Sequence, residues 1–292
     1  MPEFTISHDP DDPRLSRAVT GTDQVGAPVE TWVPVERPLT VYLNGQEIVT
    51  LMTIGDHPEF LGLGYLLNQN MIGPGDEISA IEYDDDVETV VVRTPAKTVF
   101  EDKLQKKTVT SGCAQGTVFG DVLERFEKVH LSRGAVLRTS WLYELQKKVN
   151  TRPSLYLKAG AIHGCALCQG SEPVLYVEDV GRHNAVDKIA GYMHLEEIEP
   201  HDKIFYTTGR LTSEMILKCV SMEIPILISR SGFTAWGVDL AREKDLTLIG
   251  RLRGSRFVTL SGGERIVYDA DPGGVEDEAL HLHRKGARPD AA

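Results

Sequence analysis

Strand-like and helix-like segments alternate regularly over the second half of this chain, and this alternation is the feature that most limits its possible folds. Short apolar runs fit strands, and the segments between them carry apolar residues at helical spacing. We predict strands at residues 174–178, 204–207, 226–229 and 246–251, helices at 184–193, 212–222 and 234–243, and a terminal hairpin at 257–268. Because strands joined through helices pair in parallel, the pattern indicates an α/β core with a mostly parallel sheet covered on both faces.

The first half of the chain predicts a smaller, antiparallel β-rich region with a covering helix. Asn44-Gly45 stands between two β-rich runs, which is the strongest short-range signal for a hairpin. Residues 57–68 have helical spacing, and residues 78–83 and 89–93 fit two further strands.

The domain boundaries follow from changes in composition along the chain. We predict a mobile arm at 1–34, the β-rich region at 35–98, a flexible basic loop at 99–117, the core at 118–268 and a polar tail at 269–292. The core begins with helices at 118–129 and 141–149, the second behind a Thr139/Ser140 N-cap.

Charge and cysteine content exclude several classes of protein. With 43 acidic and 31 basic residues the net charge is −12, which argues against a nucleic-acid partner. The apolar runs have strand length, so no membrane span is expected, and the first residues do not resemble a signal peptide. Four cysteines in 292 residues do not form a disulfide framework, and we expect a reduced, cytoplasmic protein.

Polar side chains and glycines follow three of the predicted strands. In parallel sheets ligands bind at the carboxyl ends of the strands, where arginine forks and helix N-termini suit anions. The alternative is that these segments are only capping turns. We favour an anion or nucleotide pocket, although no Walker or G-x-G-x-x-G motif is present. Its candidate residues are Gly181, Arg182, His183, Asn184, Gly209, Arg210, Ser229, Arg230 and Ser231.

The four cysteines have different sequence environments. Cys113 stands in a polar, glycine-punctuated segment with lysines nearby, which favours a reactive thiol over a structural one. If their segment is helical, Cys165 and Cys168 share one face of it, where they could bind zinc with His163 as a third ligand or, alternatively, pack as core residues. Because a closed zinc site needs four ligands, we expect no metal there. Cys219 fits the apolar face of a helix.

Several long motifs make the chain resemble the formate dehydrogenase accessory sulfurtransferases, the FdhD family. The likeness begins at the Asn44-Gly45 hairpin and at residues 62–67. It continues through E-D-V-G-R-H-N-A-V-D-K at 178–188, G-R-L-T-S-E-M at 209–215, I-P-I-L-I-S-R-S at 224–231 and L-T-L-I-G-R-L-R-G-S-R at 246–256.

The resemblance implies a cytoplasmic homodimer with a cytidine-deaminase-like, three-layer core. It implies a sulfurtransferase that receives sulfur from a cysteine desulfurase as a persulfide. The sulfur then passes to the molybdenum (or tungsten) bis-molybdopterin guanine dinucleotide cofactor required by formate dehydrogenase. The family's persulfide cysteine maps to Cys113. Its cofactor-binding stretch maps to Arg251, Leu252, Arg253, Gly254, Ser255 and Arg256.

The chain departs from the family pattern at three places. Gly116 replaces the second cysteine of the family's loop C-x-x-C, so the loop cannot form that disulfide. Cys165 and Cys168 stand where the family has small apolar residues, and the segment after Arg256 differs from the family's short ending.

Two other functions compete with sulfur transfer. A cytidine-type deaminase would need H-x-E and P-C-x-x-C around zinc, whereas His163-Gly164-Cys165 lacks the glutamate and residues 207–213 hold no cysteine. We therefore reject deamination. A non-catalytic chaperone that binds or inserts the cofactor stays open, and an essential thiol at Cys113 would distinguish the carrier from it.

Overall fold

A computed structural model of the protein describes residues 9–73, 75–95 and 119–274, and it begins with a β-hairpin where we predict a mobile arm. Strands β1 (Ser16–Thr22) and β2 (Pro28–Pro34) pair antiparallel along their whole length. The Asp23 carboxylate closes the turn by accepting the backbone N–H groups of Val25 and Ala27. The prediction was wrong because most residues of both strands are exposed, so the sequence carries no buried face with a period of two.

A four-stranded sheet follows the hairpin and is covered by one helix. It contains β3 (Arg37–Leu43), β4 (Gln46–Thr53), β5 (Ala80–Asp84) and β6 (Thr89–Arg93) in the order β4-β3-β6-β5, and α1 (Pro58–Asn68) lies between β4 and β5 in the chain. Asn44-Gly45 makes the predicted turn from β3 to β4. The region is not purely antiparallel, because β3 and β6 pair in parallel after the crossover through α1.

Among the described residues, three helices and a short strand lie between this region and the main sheet in the chain. They are α2 (Phe119–Lys128), β7 (Leu137–Arg138), α3 (Thr139–Thr151) and α4 (Leu155–Ala159). The N-cap predicted at Thr139/Ser140 is replaced by a distant residue, because Asp269 accepts the Ser140 backbone N–H at 3.0 Å. That contact spans 129 positions, so local sequence does not show it. The segment predicted as a polar tail, from residue 269 onward, therefore begins with a residue that contacts the core.

The remaining elements include all strands of the main sheet and three of the helices that pack against it. In chain order they are β8 (His163–Gln169), β9 (Glu172–Asp179), α5 (Arg182–Leu195), β10 (Lys203–Thr207), α6 (Ser213–Ser221), β11 (Ile226–Ser229), α7 (Ala235–Glu243), β12 (Thr247–Arg253), β13 (Arg256–Ser261) and β14 (Ile266–Val267). The sheet has the order β13-β12-β11-β10-β8-β9, and β14 pairs with β7.

The main sheet is mixed, and the prediction of a mostly parallel sheet is corrected on this point. Only β10–β11 and β11–β12 pair in parallel, whereas β10–β8, β8–β9 and β12–β13 are antiparallel. The difference comes from β8, which inserts between β9 and β10. Both faces of β8 are buried and its residues are small, so its sequence has neither the alternation nor the β-branched content of a predictable strand.

Each face of the main sheet packs against a separate apolar layer. One face meets α2, α5, α6 and α7 through residues such as Phe126, Ile189 and Leu217. The other face meets α3 through Leu142, Leu145 and similar residues. The described residues thus place four helices against one face of the central sheet and one helix, α3, against the other. Among the described residues, no helix combines the length and the apolar character needed to cross a membrane.

Candidate functional site

Four strands of the main sheet run in the same direction and end at one edge. Since β8 is antiparallel to both β9 and β10, those two strands point the same way as β11 and β12. The segments at their carboxyl ends are residues 179–184, 207–213, 229–234 and 251–256, and we name these four segments the rim. This edge is where open α/β sheets bind ligands.

Direct contacts join the four segments of the rim. Arg182 packs against Gly209, where an added Cβ would lie 3.2 Å from the Arg182 Cβ. The Ser229 hydroxyl donates to the Gly209 carbonyl at 2.6 Å, and the Arg251 backbone N–H donates to the Ser231 carbonyl at 2.8 Å. The structure thus brings together residues predicted from separate stretches of sequence.

Three of the predicted binding residues face the interior instead. The Asn184 amide donates to Asp179 at 2.9 Å and to the Met52 carbonyl at 2.7 Å. Ser229 is buried and uses its hydroxyl to hold Gly209 and the Ser231 backbone N–H. Leu252 is buried in the core between two exposed arginines. The structure thus places these three side chains in the interior, where they support the rim.

Five arginines of the rim differ from most of the other described arginines in their partners. Six arginines elsewhere pair with Asp or Glu, namely Arg14, Arg37, Arg93, Arg133, Arg138 and Arg265. Five arginines of the rim form no ion pair with any described residue, namely Arg210, Arg230, Arg251, Arg253 and Arg256. All of these except the half-buried Arg230 are exposed. The rim is therefore a local concentration of positive charge on an acidic protein.

Arg251 also has an unusual backbone. Its φ of 57° lies in the left-handed region, and the pairing of β12 with β13 is irregular between Gly250 and Arg253. A bulky residue there is strained, and such strain is common at functional sites. The Gly254-Ser255 turn follows, with Gly254 at φ 55°.

Two histidines stand at or beside the rim. His183 Nε2 lies 3.0 Å from Glu214 Oε2, and burial lowers the pKa of His183. His163, at the start of β8, contacts the Thr208 hydroxyl at 3.4 Å. Burial lowers the pKa of His163 as well, and the positive charges of Arg182 and Arg210 lower it further. Both imidazoles are therefore neutral near pH 7, and an arriving anion would favour their protonation.

The capping interpretation fits only one of the helices that follow the rim. The N-cap residues of α5 and α6, Gly181 and Thr212, accept no backbone N–H through a side chain. In α7 the Thr234 hydroxyl accepts the Gly237 N–H at 3.3 Å. The first turns of α5 and α6 thus lack the side-chain cap that the alternative requires.

Cys165 and Cys168 lie on opposite faces of β8, so the interpretation that they share a helix face was wrong. Cys165 packs in one core layer and Cys168 in the other. They therefore cannot ligate one ion together. Burial raises the pKa of Cys165 to about 12, and it raises the pKa values of Cys168 and Cys219 as well. Within the described part of the chain, no three His, Cys, Asp or Glu side chains are grouped to hold a metal.

The predicted persulfide residue Cys113, together with Gly116 and the loop at 99–117, lies outside the described residues, as does the tail beyond residue 274. The model of the FdhD/NarQ family matches residues 34–267.

This chain belongs to the FdhD/NarQ family. Relatives include the sulfur carrier protein FdhD of Listeria innocua, 30% identical over 257 residues that cover 87% of this chain and 97% of the relative. The sulfur carrier protein FdhD of Bacillus subtilis is 32% identical over 242 residues, covering 82% and 91% respectively. A crystal structure of a proposed formate dehydrogenase accessory protein from Desulfotalea psychrophila matches with a TM-score of 0.71 and 28% identity, over 87% of this chain and all of that one.

The site of this FdhD/NarQ protein also contains residues that sequence reasoning missed. Neither the His163–Thr208 contact nor the buried pair of Asp179 and Lys188 was predicted. A signal existed for the second, because two adjacent charged residues, Asp187 and Lys188, interrupt the apolar residues of the predicted helix at 184–193. The His163–Thr208 contact has no such signal, because the sequence does not predict β8 and indicates His163 only as a possible zinc ligand.

Proposed function

We propose that this protein is a sulfurtransferase in the maturation of formate dehydrogenase. It carries sulfur as a persulfide on Cys113, from a cysteine desulfurase to the molybdenum (or tungsten) bis-molybdopterin guanine dinucleotide cofactor. Relatives named sulfur carrier protein FdhD, and a similar structure of a proposed formate dehydrogenase accessory protein, support this role. The cofactor is the cargo of the protein, and we propose no resident metal.

The observation that carries the proposal is the set of five rim arginines that pair with no carboxylate in the part of the chain that the structure describes. A bis-guanine-dinucleotide cofactor has two pyrophosphate groups, and arginine forks bind phosphate oxygens in pairs. An acidic protein with net charge −12 has many carboxylates available to neutralise these arginines, yet no carboxylate of the described residues pairs with them. We infer that phosphate groups of the cofactor are their partners.

The choice of Cys113 rests on the family resemblance and on the burial of the other cysteines. A sulfur carrier needs a thiolate that reaches a donor and then an acceptor. Cys165, Cys168 and Cys219 are fully buried, and burial raises their pKa values, so their thiolates are scarce at neutral pH. Cys113 is the remaining cysteine of the chain.

Loading is a thiol–persulfide exchange. The Cys113 thiolate attacks the outer sulfur of the desulfurase persulfide, a new S–S bond forms, and the donor's S–S bond breaks to release its cysteine as a thiolate. Gly116 supplies no second thiol in that segment, so the Cys113 persulfide cannot be lost there as a local disulfide.

We also infer a cytidine-deaminase-like core, a homodimer and a cytoplasmic location, with no nucleic-acid or membrane partner. The family resemblance supports the first three, and the helical layers on both faces of the main sheet agree with such a core. The acidic composition supports the fourth.

The decisive experiment is persulfide mapping on the full chain. The purified protein is incubated with a cysteine desulfurase and cysteine, alkylated, digested and analysed by mass spectrometry. We expect one added sulfur on the peptide that holds Cys113, none in Cys113→Ser, and normal loading in the control Cys219→Ser. Sulfur found only on Cys165 or Cys168 would reject the assignment. If Cys113→Ser still supports formate dehydrogenase maturation, the non-catalytic chaperone is the correct function.

A further inference from the structure

We infer that the four-stranded sheet of β3 to β6, which we call the small sheet, positions the Arg182–His183 segment of the rim. Asp179 is the positioning residue through which it does so. The inference rests on the proposed function, because it concerns how the same rim is held ready for its ligand. The small sheet would then help to form the binding site, in addition to covering the core.

One carboxylate oxygen of Asp179 fixes the chain that follows it. Its Oδ1 accepts the Gly181 backbone N–H at 3.0 Å and the Asn184 amide at 2.9 Å. These two donors lie on either side of Arg182 and His183, which come directly between them in the sequence. The position of the first turn of α5 therefore depends on this one oxygen.

The other oxygen of Asp179 connects to the small sheet. Its Oδ2 accepts the hydroxyl of Thr53, the last residue of β4, at 2.5 Å. The Asn184 amide reaches the same strand through the Met52 carbonyl. Both Thr53 and Asp179 are buried, so water does not compete for these bonds.

A buried lysine pairs with the Asp179 carboxylate. Lys188 Nζ lies 2.7 Å from Asp179 Oδ2 and also contacts Asp56, just beyond β4, and the Glu178 carbonyl. Burial by itself would lower the pKa of Lys188, but the charges of Asp179 and Asp56 outweigh it and the pKa is raised. One cation thus joins the main sheet to the small one.

The same helix provides a matched comparison. Asp187 in α5 is also a buried carboxylate, and it pairs with Lys218 at 2.7 Å and accepts the Asn68 amide at 2.7 Å. None of these three residues belongs to the rim. A variant at Asp187 therefore disturbs a buried ion pair of similar kind without releasing the segment that carries Arg182.

The test compares Asp179→Asn with Asp187→Asn in the full-length protein. Affinity for guanosine diphosphate is measured by calorimetry at fixed salt, persulfide loading of Cys113 by mass spectrometry, and Tm alongside. We expect both variants to lose stability, but only Asp179→Asn to weaken nucleotide binding, by about tenfold or more. Persulfide loading should be retained in both.

Two variants in the small sheet give an independent result that does not depend on a buried charge. Thr53→Val removes the hydroxyl that reaches Asp179, and Thr53→Ser keeps it. We expect the valine variant to bind the nucleotide more weakly and the serine variant to match the natural protein.

The outcomes separate this inference from the proposed function. Equal loss of binding in Asp179→Asn and Asp187→Asn, or unchanged binding in both Asp179→Asn and Thr53→Val, overturns the positioning role while the rim still binds nucleotide. If the natural protein does not bind guanosine diphosphate at all, the cofactor site itself is wrong, and the inference falls with it.

Discussion

Gly64 in α1 packs directly against the backbone carbonyl of Asp187 in α5, so closely that a Cβ on Gly64 would overlap that oxygen. The contact is reciprocal, because a Cβ on Gly191 in α5 would overlap the carbonyl oxygen of Phe60 in α1. The two helices therefore cross at backbone contact, and glycine is required at both positions. This crossing joins the small sheet and its helix to the core.

We expect Gly64→Ala to separate these helices and to lower the free energy of unfolding by about 3 kcal/mol, because an added methyl group meets rigid backbone. Urea unfolding measures the change. Gly21→Ala is the control, since Gly21 in β1 has open space around it and its substitution should cost under about 0.5 kcal/mol. Equal stability of the two variants would show that the helices can move apart at no cost.

The sequence predicts the elements of the core well where local signals are strong. The strand predicted at 226–229 is β11, and the strand predicted at 204–207 differs from β10 by one residue. The sequence does not predict β8, because both of its faces are buried and apolar and polar residues do not alternate along it. It does not predict the β1–β2 hairpin either, because both faces of those strands are mostly exposed and the alternation is again absent. Local patterns also cannot show Asp269 at the start of α3.

The candidate site was predictable in part for a similar reason. The rim arginines could be found because strands of one direction end at one edge. Whether a polar side chain faces the ligand or the interior depends on partners distant in sequence. Asn184 turns inward because the Met52 carbonyl, 132 positions earlier, accepts its amide.

Thiol accessibility gives a second prediction. At about pH 8, iodoacetamide should modify only Cys113 in the folded protein, because burial holds the pKa of Cys165 at about 12 and excludes the reagent. All four cysteines should react in denaturant. Mass spectrometry of the alkylated peptides measures this. Modification of Cys165 or Cys168 in the folded protein at the rate of Cys113 would contradict the buried strand β8.

The pH dependence of stability gives a third prediction. Burial lowers the pKa of His183 from 6.5, as do the charges of Lys218 and Arg182, although the hydrogen bond to Glu214 acts in the opposite direction. The unfolded chain therefore binds a proton at a higher pH than the native protein does. By linkage, stability present above pH 6.5 is lost as the pH falls below that value.

As the pH is lowered from about 7.5 to about 5.5, we expect the Tm of His183→Gln to fall less than that of the natural protein. The substitution removes the titrating group and keeps an amide near Glu214. His201→Gln is the control, since the His201 side chain is 58% exposed and far less desolvated. The same slope in His183→Gln and in the natural protein would mean that His183 does not contribute to acid destabilisation.

Arg253 and Arg256 give the last prediction, because they face each other across the Gly254-Ser255 turn in register. Like charges placed opposite each other repel, and no described carboxylate relieves this pair. A bound pyrophosphate would neutralise both guanidinium groups, and a charge-assisted hydrogen bond contributes about 1.5–3 kcal/mol. We therefore expect Arg253→Ala and Arg256→Ala each to weaken binding of guanosine diphosphate about tenfold or more.

Persulfide loading on Cys113 should be unchanged in both variants, since loading does not use the phosphate contacts. Arg133→Ala is the matched control, because Arg133 pairs with Asp245 beside the opposite end of β12, and its side chain is 88% exposed. Calorimetry at fixed salt measures all three variants. If Arg133→Ala weakens binding as much as the rim variants, the effect is a change in overall charge. If neither rim variant changes the affinity, the turn does not contact the nucleotide, and the phosphate site must be built from the other rim arginines.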